Sequence, residues 1–252
     1  MSVATTSTEV RFLVVAAPRT GSNLLCTLLA SHADVLCHHE LFNPGGIYYA
    51  LALRDGDFSL GTLEERTADP LAFLERTWDH GLGKRCVGFK MTRGQDPQVL
   101  GACLADAKVR VIVLRRANRM KTFVSELRAQ LTKRWEVYDP ADIDATCPRV
   151  HVDAHALEAH VAQNEAFHAE LDAALARSAS PVLRVTYERL FDTDEQQRIL
   201  AFLGLRADGV MLNPASVKQN SCDLRDLVEN HDELSHELAG TAFAAELADR
   251  GL

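Results

Sequence analysis

The chain has 252 residues, 47% hydrophobic and 25% charged, and its 27 basic against 35 acidic side chains give a formal charge of −8. That balance argues against generic attraction to nucleic acid or anionic lipid, and no apolar run approaches the ~20 residues needed for a membrane-spanning helix. The six cysteines, at 26, 37, 86, 103, 147 and 222, form no CxxC pair and read as reduced, mostly buried thiols.

The first ten residues are polar, with neither a basic leader nor an apolar core, so they predict a flexible lead-in to a cytoplasmic protein. An apolar run at 12–16 predicts a strand, and helical periodicity resumes at 22–31 after a short loop. A second strand is expected at 35–37. From 41 to 83 the pattern is irregular, broken by Pro44-Gly45-Gly46 and Asp55-Gly56-Asp57, and reads as an insertion that shapes a pocket, with a helix at 71–80. Strands are predicted at 86–91 and 109–114, with helices at 97–106 and 119–135. A second loop covers 136–150. A long helix follows at 154–176, then a strand at 182–185 and a helix at 195–203, with Asp153 and Asp194 as candidate caps. Strands alternating with helices predict an α/β fold in three layers, a mainly parallel sheet with helices on both faces. No repeat, low-complexity tract or linker marks a boundary, so residues 1–252 are expected to form one domain.

In such sheets a ligand sits beyond the carboxyl ends of the strands. There the loop Ala17-Pro18-Arg19-Thr20-Gly21-Ser22 would turn backbone N–H groups, a helix N-terminus, two hydroxyls and a guanidinium toward one point, a cradle for phosphate or sulfate. The bland alternative is a strand-to-helix turn with a serine cap. The loop lacks the Walker pattern: Gly21 is followed by Ser22 and Asn23, not by Lys and a hydroxyl residue, and the positive charge stands earlier, as Arg19. The same rim should carry the residues after Cys37, Lys90, and Arg115 with Arg116. Those arginines open a basic run reaching Arg134, in which Glu126 is the single acid. His151 and His155 are four apart, but lack a following Glu or a third ligand, so no metal site is expected.

Taken together, PRTGSNLL, HHELFNP, VGFKM, VIVLRR with Ser125 on the next helix, VTYERL with FLGL, and Val217-Lys218-Gln219 ahead of LRDLVENHDEL give the chain a resemblance. It resembles the PAPS-dependent sulfotransferases, of the bacterial type that sulfates carbohydrates, similar to the nodulation-factor and trehalose enzymes. The resemblance spans residues 11 to about 240. It implies a P-loop-like sulfotransferase fold and transfer of a sulfuryl group from 3′-phosphoadenosine 5′-phosphosulfate (PAPS) to a hydroxyl of a carbohydrate, glycolipid or glycosylated natural product. The products would be a sulfate ester and adenosine 3′,5′-bisphosphate. The competing functions are a P-loop-type nucleotide-dependent phosphotransferase and a non-catalytic nucleotide-binding scaffold. Oligomeric state stays open, a homodimer included.

By that resemblance Arg19, with Thr20, Gly21, Ser22 and Asn23, holds the 5′-phosphosulfate. Glu40 is the base that takes the acceptor's proton, with His38 and His39 as rivals, since a neutral imidazole could serve. Lys90 binds the sulfate or the acceptor, unless it is a solvated strand-end lysine. Arg116 and Ser125 contact the 3′-phosphate. They stand nine apart where the family has eight, which leaves the choice between Arg115 and Arg116 open. Tyr187 lies near the adenine, and Lys218 and Gln219 belong to a late nucleotide-binding loop. Within the basic run, Arg128, Lys133 and Arg134 can also be read as a solvated helix face.

Overall fold

The structure is a computed structural model, and it describes residues 8–138, 148–206, 209–215 and 223–251. Its frame is a parallel sheet of β1 (Val10–Ala16), β2 (Val35–Cys37), β3 (Cys86–Thr92), β4 (Val109–Arg115) and β5 (Val182–Thr186), in the order β2-β3-β1-β4-β5. The central strand β1 pairs Phe12 with Gly88 of β3 and with Arg110 of β4. A side chain at Gly88 would strike the carbonyl and ring of Phe12, so glycine is what allows these strands to close up.

The period-two alternation of β1 separates two cores. Phe12, Val14 and Ala16 face Leu25, Leu28 and Leu29 of α1 (Ser22–Ala30) and Ile199 and Leu200 of α7 (Thr193–Phe202). Leu13 and Val15 face the other way, onto Phe73, Leu74 and Trp78 of α3 (Pro70–Asp79), Val99 and Cys103 of α4 (Pro97–Ala105), and Leu171 and Leu175 of α6 (Ala154–Leu175). Both faces are thus covered, as the alternating pattern predicts, and each fully buried Phe or Leu contributes about 1.5–3 kcal/mol. A third cluster joins Met120 and Val124 of α5 (Arg119–Thr132) to Leu157 and Val161 of α6, Leu234 of α8 (His231–Glu237) and Leu247 of α9 (Ala242–Ala248).

Several boundaries differ from the sequence reading. Val10 already belongs to β1, so the expected flexible lead-in does not reach residue 10, and residues 1–7 lie outside the described ones. The helix expected to run to 135 stops at Thr132, where Lys133 takes a left-handed φ of 58°. Asp153 does cap α6, accepting from Ala156 N. Asp194 instead lies in the first turn of α7, behind Asp192 at the cap position. Within the irregular 41–83 segment the structure adds α2 (Leu63–Ala68), opened by a reciprocal Thr62/Glu65 capping box. No helix among the described residues is long and apolar enough to cross a membrane. Cys26, Cys37, Cys86 and Cys103 are buried free thiols, and Cys147 and Cys222 lie outside the described residues.

Candidate active site

All five strands run in one direction, so their carboxyl ends meet along one rim, and a cavity of about 720 Å³ opens there. That size suits a small molecule or nucleotide, for which ~300–1,000 Å³ is usual. The loop between β1 and α1 forms one wall. Arg19 takes a left-handed φ of 60° and Gly21 one of 91°, which places Gly21 at the N-cap of α1 with no side chain bonded there. The serine-cap reading therefore fails: Ser22 is the first helical residue, and the first-turn N–H groups lack intrahelical acceptors. A Cβ on Gly21 would collide with the ring of Tyr187, so the tight loop and that ring require each other. The Thr20 hydroxyl donates to Ala17 O at 2.7 Å, and Thr20 lines a separate cavity of about 360 Å³.

Lys90, near the end of β3, is 3% exposed and forms the hub of the wall opposite. Its Nζ lies 2.9 Å from Glu40 Oε1 and donates to Asn23 Oδ1 and, at 3.4 Å, to Ser22 Oγ. The solvated-lysine alternative is thereby removed. Glu40 Oε2 accepts from Asn43 Nδ2 at 2.6 Å and from Gln95 Nε2 at 2.7 Å. Burial alone would raise the Glu40 pKa; the Lys90 charge and the bonds from Asn43 and Lys90 outweigh it, so the carboxyl sits below its ordinary value and is ionised near neutral pH.

The rival bases are placed differently. His38 is fully buried between Phe58 and Tyr49, its Nδ1 accepts from Ala50 N at 3.2 Å, and burial pulls its pKa down to about 3. It is a core residue. His39 is 1% exposed and its Nδ1 lies 3.3 Å from Glu136 Oε1, while burial keeps its pKa below the usual value. Glu136 also accepts from Arg54 Nη1 at 2.8 Å. Of the three candidates, Glu40 lines the cavity and the two histidines do not.

At the other end Arg116 and Ser125 both line the cavity, and the Arg116 guanidinium lies 4.4 Å above the Tyr187 ring, a cation–π distance. Arg19 Nε donates to Ser125 Oγ at 3.1 Å, and its Nη1 donates to Trp135 O at 2.6 Å. Arg115 turns away. Its Nη2 meets Asp172 Oδ2 on α6 at 2.6 Å, and of the two arginines Arg116 lines this cavity. Arg128 is no solvated face residue, because it is buried and its Nε donates to Pro148 O at 3.1 Å. His155 is exposed and near Glu158, and the described residues hold no group of three or more His, Cys, Asp or Glu fit for a metal. Lys218 and Gln219 lie outside the described residues.

The rim also recruits residues that sequence reasoning passed over. Asn43 and Gln95 hold the Glu40 carboxylate, Lys121 joins the lining one helical turn before Ser125, and Tyr48, Arg54, Trp135, Glu136 and Tyr138 close the side beyond Glu40. Gln95 carried no signal, whereas Asn43 lies in the HHELFNP segment, Lys121 in the basic run, Tyr48 and Arg54 in the 41–83 insertion, and Glu136 and Tyr138 in the 136–150 loop.

No family model matches the chain. Over 92% of its length it is 27% identical to nodulation protein H of Rhizobium meliloti, covering 93% of that protein. It is 26% identical to nodulation protein H of Rhizobium tropici, again over 92% of its length and covering 91% of that relative. A solved sulfotransferase structure from Alicyclobacillus acidocaldarius aligns with 94% of this chain and 93% of its own, at 17% identity and a TM-score of 0.48, a likeness too low to carry weight.

Proposed function

We propose that this chain, which belongs to a bacterial sulfotransferase family and is an enzyme that transfers sulfate, uses PAPS as donor and a carbohydrate-type hydroxyl as acceptor. The observation that carries this reading is the position of Lys90 Nζ, which joins Glu40 Oε1 at 2.9 Å to Ser22 and Asn23 on the first turn of α1. A proton acceptor and an anion-binding helix N-terminus are thereby fixed on either side of one cation. The site fits the donor in a second respect: Gly21, Ser22 and Asn23, at the start of α1, line the cavity, where a helix N-terminus favours an anion.

When bound, PAPS supplies a sulfuryl group already activated by its bond to phosphate. The residues of this chain then have three tasks. Glu40 accepts the proton of the acceptor hydroxyl as its oxygen bonds to sulfur and the bond from sulfur to the 5′-phosphate oxygen breaks. Arg19 and the first-turn N–H groups of α1 take up the charge that returns to the phosphate, and Lys90 offsets charge on the sulfuryl oxygens. Arg116 and Ser125 hold the 3′-phosphate, with a guanidinium fork suited to phosphate oxygens. Tyr48 and Trp135, 42% and 47% exposed, line the cavity, and the face of either ring is a surface on which a sugar can stack.

Incubation with sulfur-labelled PAPS and a panel of mono- and oligosaccharides tests this reading, with the products identified by mass. A sulfated saccharide formed by the wild type and lost in Glu40→Gln is the expected result. Label transfer to no member of the panel, or unchanged transfer by Glu40→Gln, would contradict it.

A further inference from the structure

The two oxygens of Glu40 are loaded unequally. Oε2 accepts two hydrogen bonds, from Asn43 Nδ2 at 2.6 Å and Gln95 Nε2 at 2.7 Å, whereas the described partner of Oε1 is Lys90 Nζ at 2.9 Å. A carboxylate oxygen has about two lone-pair sites, so Oε2 is saturated and Oε1 keeps one open.

Gln95 comes from the turn after β3, 55 residues along the chain from Glu40. Its Nε2 spends both hydrogens locally, one on Glu40 Oε2 and the other on Thr92 Oγ1 at 3.0 Å. A carboxylate can only accept, so the amide has to face this way. Its own Oε1 is then buried without a hydrogen-bond partner. An orphaned buried carbonyl costs about 1–3 kcal/mol, which stability alone would not favour. Asn43 has another task, since its Oδ1 accepts from Gly45 N at 2.8 Å and shapes the turn. For Gln95 the structure shows no comparable backbone task for the side chain.

We propose that Gln95 is a positioning residue for sulfuryl transfer: it closes Oε2 of Glu40 and leaves Oε1, beside Lys90 and the first turn of α1, to take the acceptor's proton. This rests on the reading of Glu40 as the base. The acceptor O–H bond breaks and its proton fills the open site on Oε1. The acceptor oxygen bonds sulfur, and the electron pair of the broken sulfur–oxygen bond leaves on the 5′-phosphate. The charged groups acting on Glu40 are Lys90 of β3, which favours the carboxylate, Glu136 beyond α5, which opposes it, and Arg19 of the loop.

The test is Gln95→Met, which keeps the side-chain length and removes both donors. In full-length protein labelled with carbon-13 at glutamate carboxyls, the Glu40 resonance is assigned by its loss in Glu40→Gln, and its titration midpoint is followed. The midpoint is expected to rise by roughly one pH unit, as for a carboxylate losing one donor. The acid limb of kcat for transfer from labelled PAPS should move up with it, while the KM for PAPS stays within about twofold. Thr92→Val, which frees the amide to swing, should move both in the same direction by less, and it stands in if Gln95→Met does not fold. An unchanged midpoint, or a loss of kcat equal at every pH, overturns the proposal. If Glu40→Gln keeps wild-type turnover, the base assignment fails instead, whatever the Gln95 variant does to the titration.

Discussion

Around Glu40 the protein closes one carboxylate into a hydrogen-bonded shell, and around Arg19 it places a second cation, Arg116, among acids. Lys90 and Glu40 pair at 2.9 Å, and Asn43 and Gln95 complete the carboxylate's shell. At the far end Arg116 Nη1 reaches Arg19 O at 3.5 Å; burial first, and the Arg116 charge after it, weaken the hold of Arg19 on its proton, while Glu126, acting more strongly than Arg116, and then Glu136 and Glu40 oppose them. The difference follows from what each end has to do. A proton acceptor works best when its geometry is fixed before substrate arrives, whereas two neighbouring cations are relieved by an incoming anion and so favour binding one.

The largest expected break in this contrast is Glu40→Gln. Loss of a general base costs roughly 10²–10⁴ in rate, so kcat for sulfate transfer should fall by that factor while the affinity for adenosine 3′,5′-bisphosphate, read by calorimetry, holds within about twofold. Arg116→Ala should do the reverse. Removing a charged hydrogen-bond partner costs about 1.5–3 kcal/mol, so the same titration should show a bisphosphate Kd raised by roughly tenfold to a hundredfold. Arg115→Ala is the control, since its side chain is taken by Asp172, and it should shift that Kd by less than about threefold. If Arg115→Ala is the damaging change, the assignment of the two arginines is reversed.

Gly21→Ala puts a Cβ into the Tyr187 ring at a φ of 91°. Left-handed backbone alone costs about 1–2 kcal/mol for a residue with a side chain, and thermal unfolding should show at least that loss, together with weaker bisphosphate binding. The smallest effect concerns pH. The Glu136 carboxyl is held below the ordinary range: burial pushes it up, and the bonds to His39 and Arg54 with the His39 charge pull it further down. Its contribution to stability is therefore complete above the unfolded-state value of about 4.3 and is lost as pH falls toward the folded-state value. Glu136→Gln should lower stability most above about pH 4.3 and progressively less as pH falls, so that the acid side of the stability profile becomes flatter.

The sheet was legible because each strand is a short apolar run between helical patterns, and Gly21 followed by Ser22 announced the helix start that builds the anion wall. The opening of α2 was also written in the chain, as Thr62 followed three residues later by Glu65, although the irregular composition around it hid the signal. Burial of Arg128 could not be read, because its position in a basic run looks the same whether the helix faces water or Pro148. Gln95 was invisible for a related reason. A polar side chain in the turn Thr92-Arg93-Gly94-Gln95 is ordinary in sequence, and its partner lies 55 residues away, brought near only by the pairing of β2 with β3. Which of Arg115 and Arg116 lines the cavity also needed three dimensions, since successive residues leaving a strand point to opposite faces.

In the function proposed above the cavity is a two-phosphate nucleotide site built for sulfate chemistry, without the Walker Lys-hydroxyl pair. Calorimetric titration of adenosine 3′,5′-bisphosphate, against ATP with magnesium, tests it most directly. The expected result is metal-independent binding of the bisphosphate, at least tenfold tighter than ATP, and weakened by Arg116→Ala. Equal or tighter binding of magnesium ATP, or a bisphosphate affinity indifferent to Arg116, would contradict it.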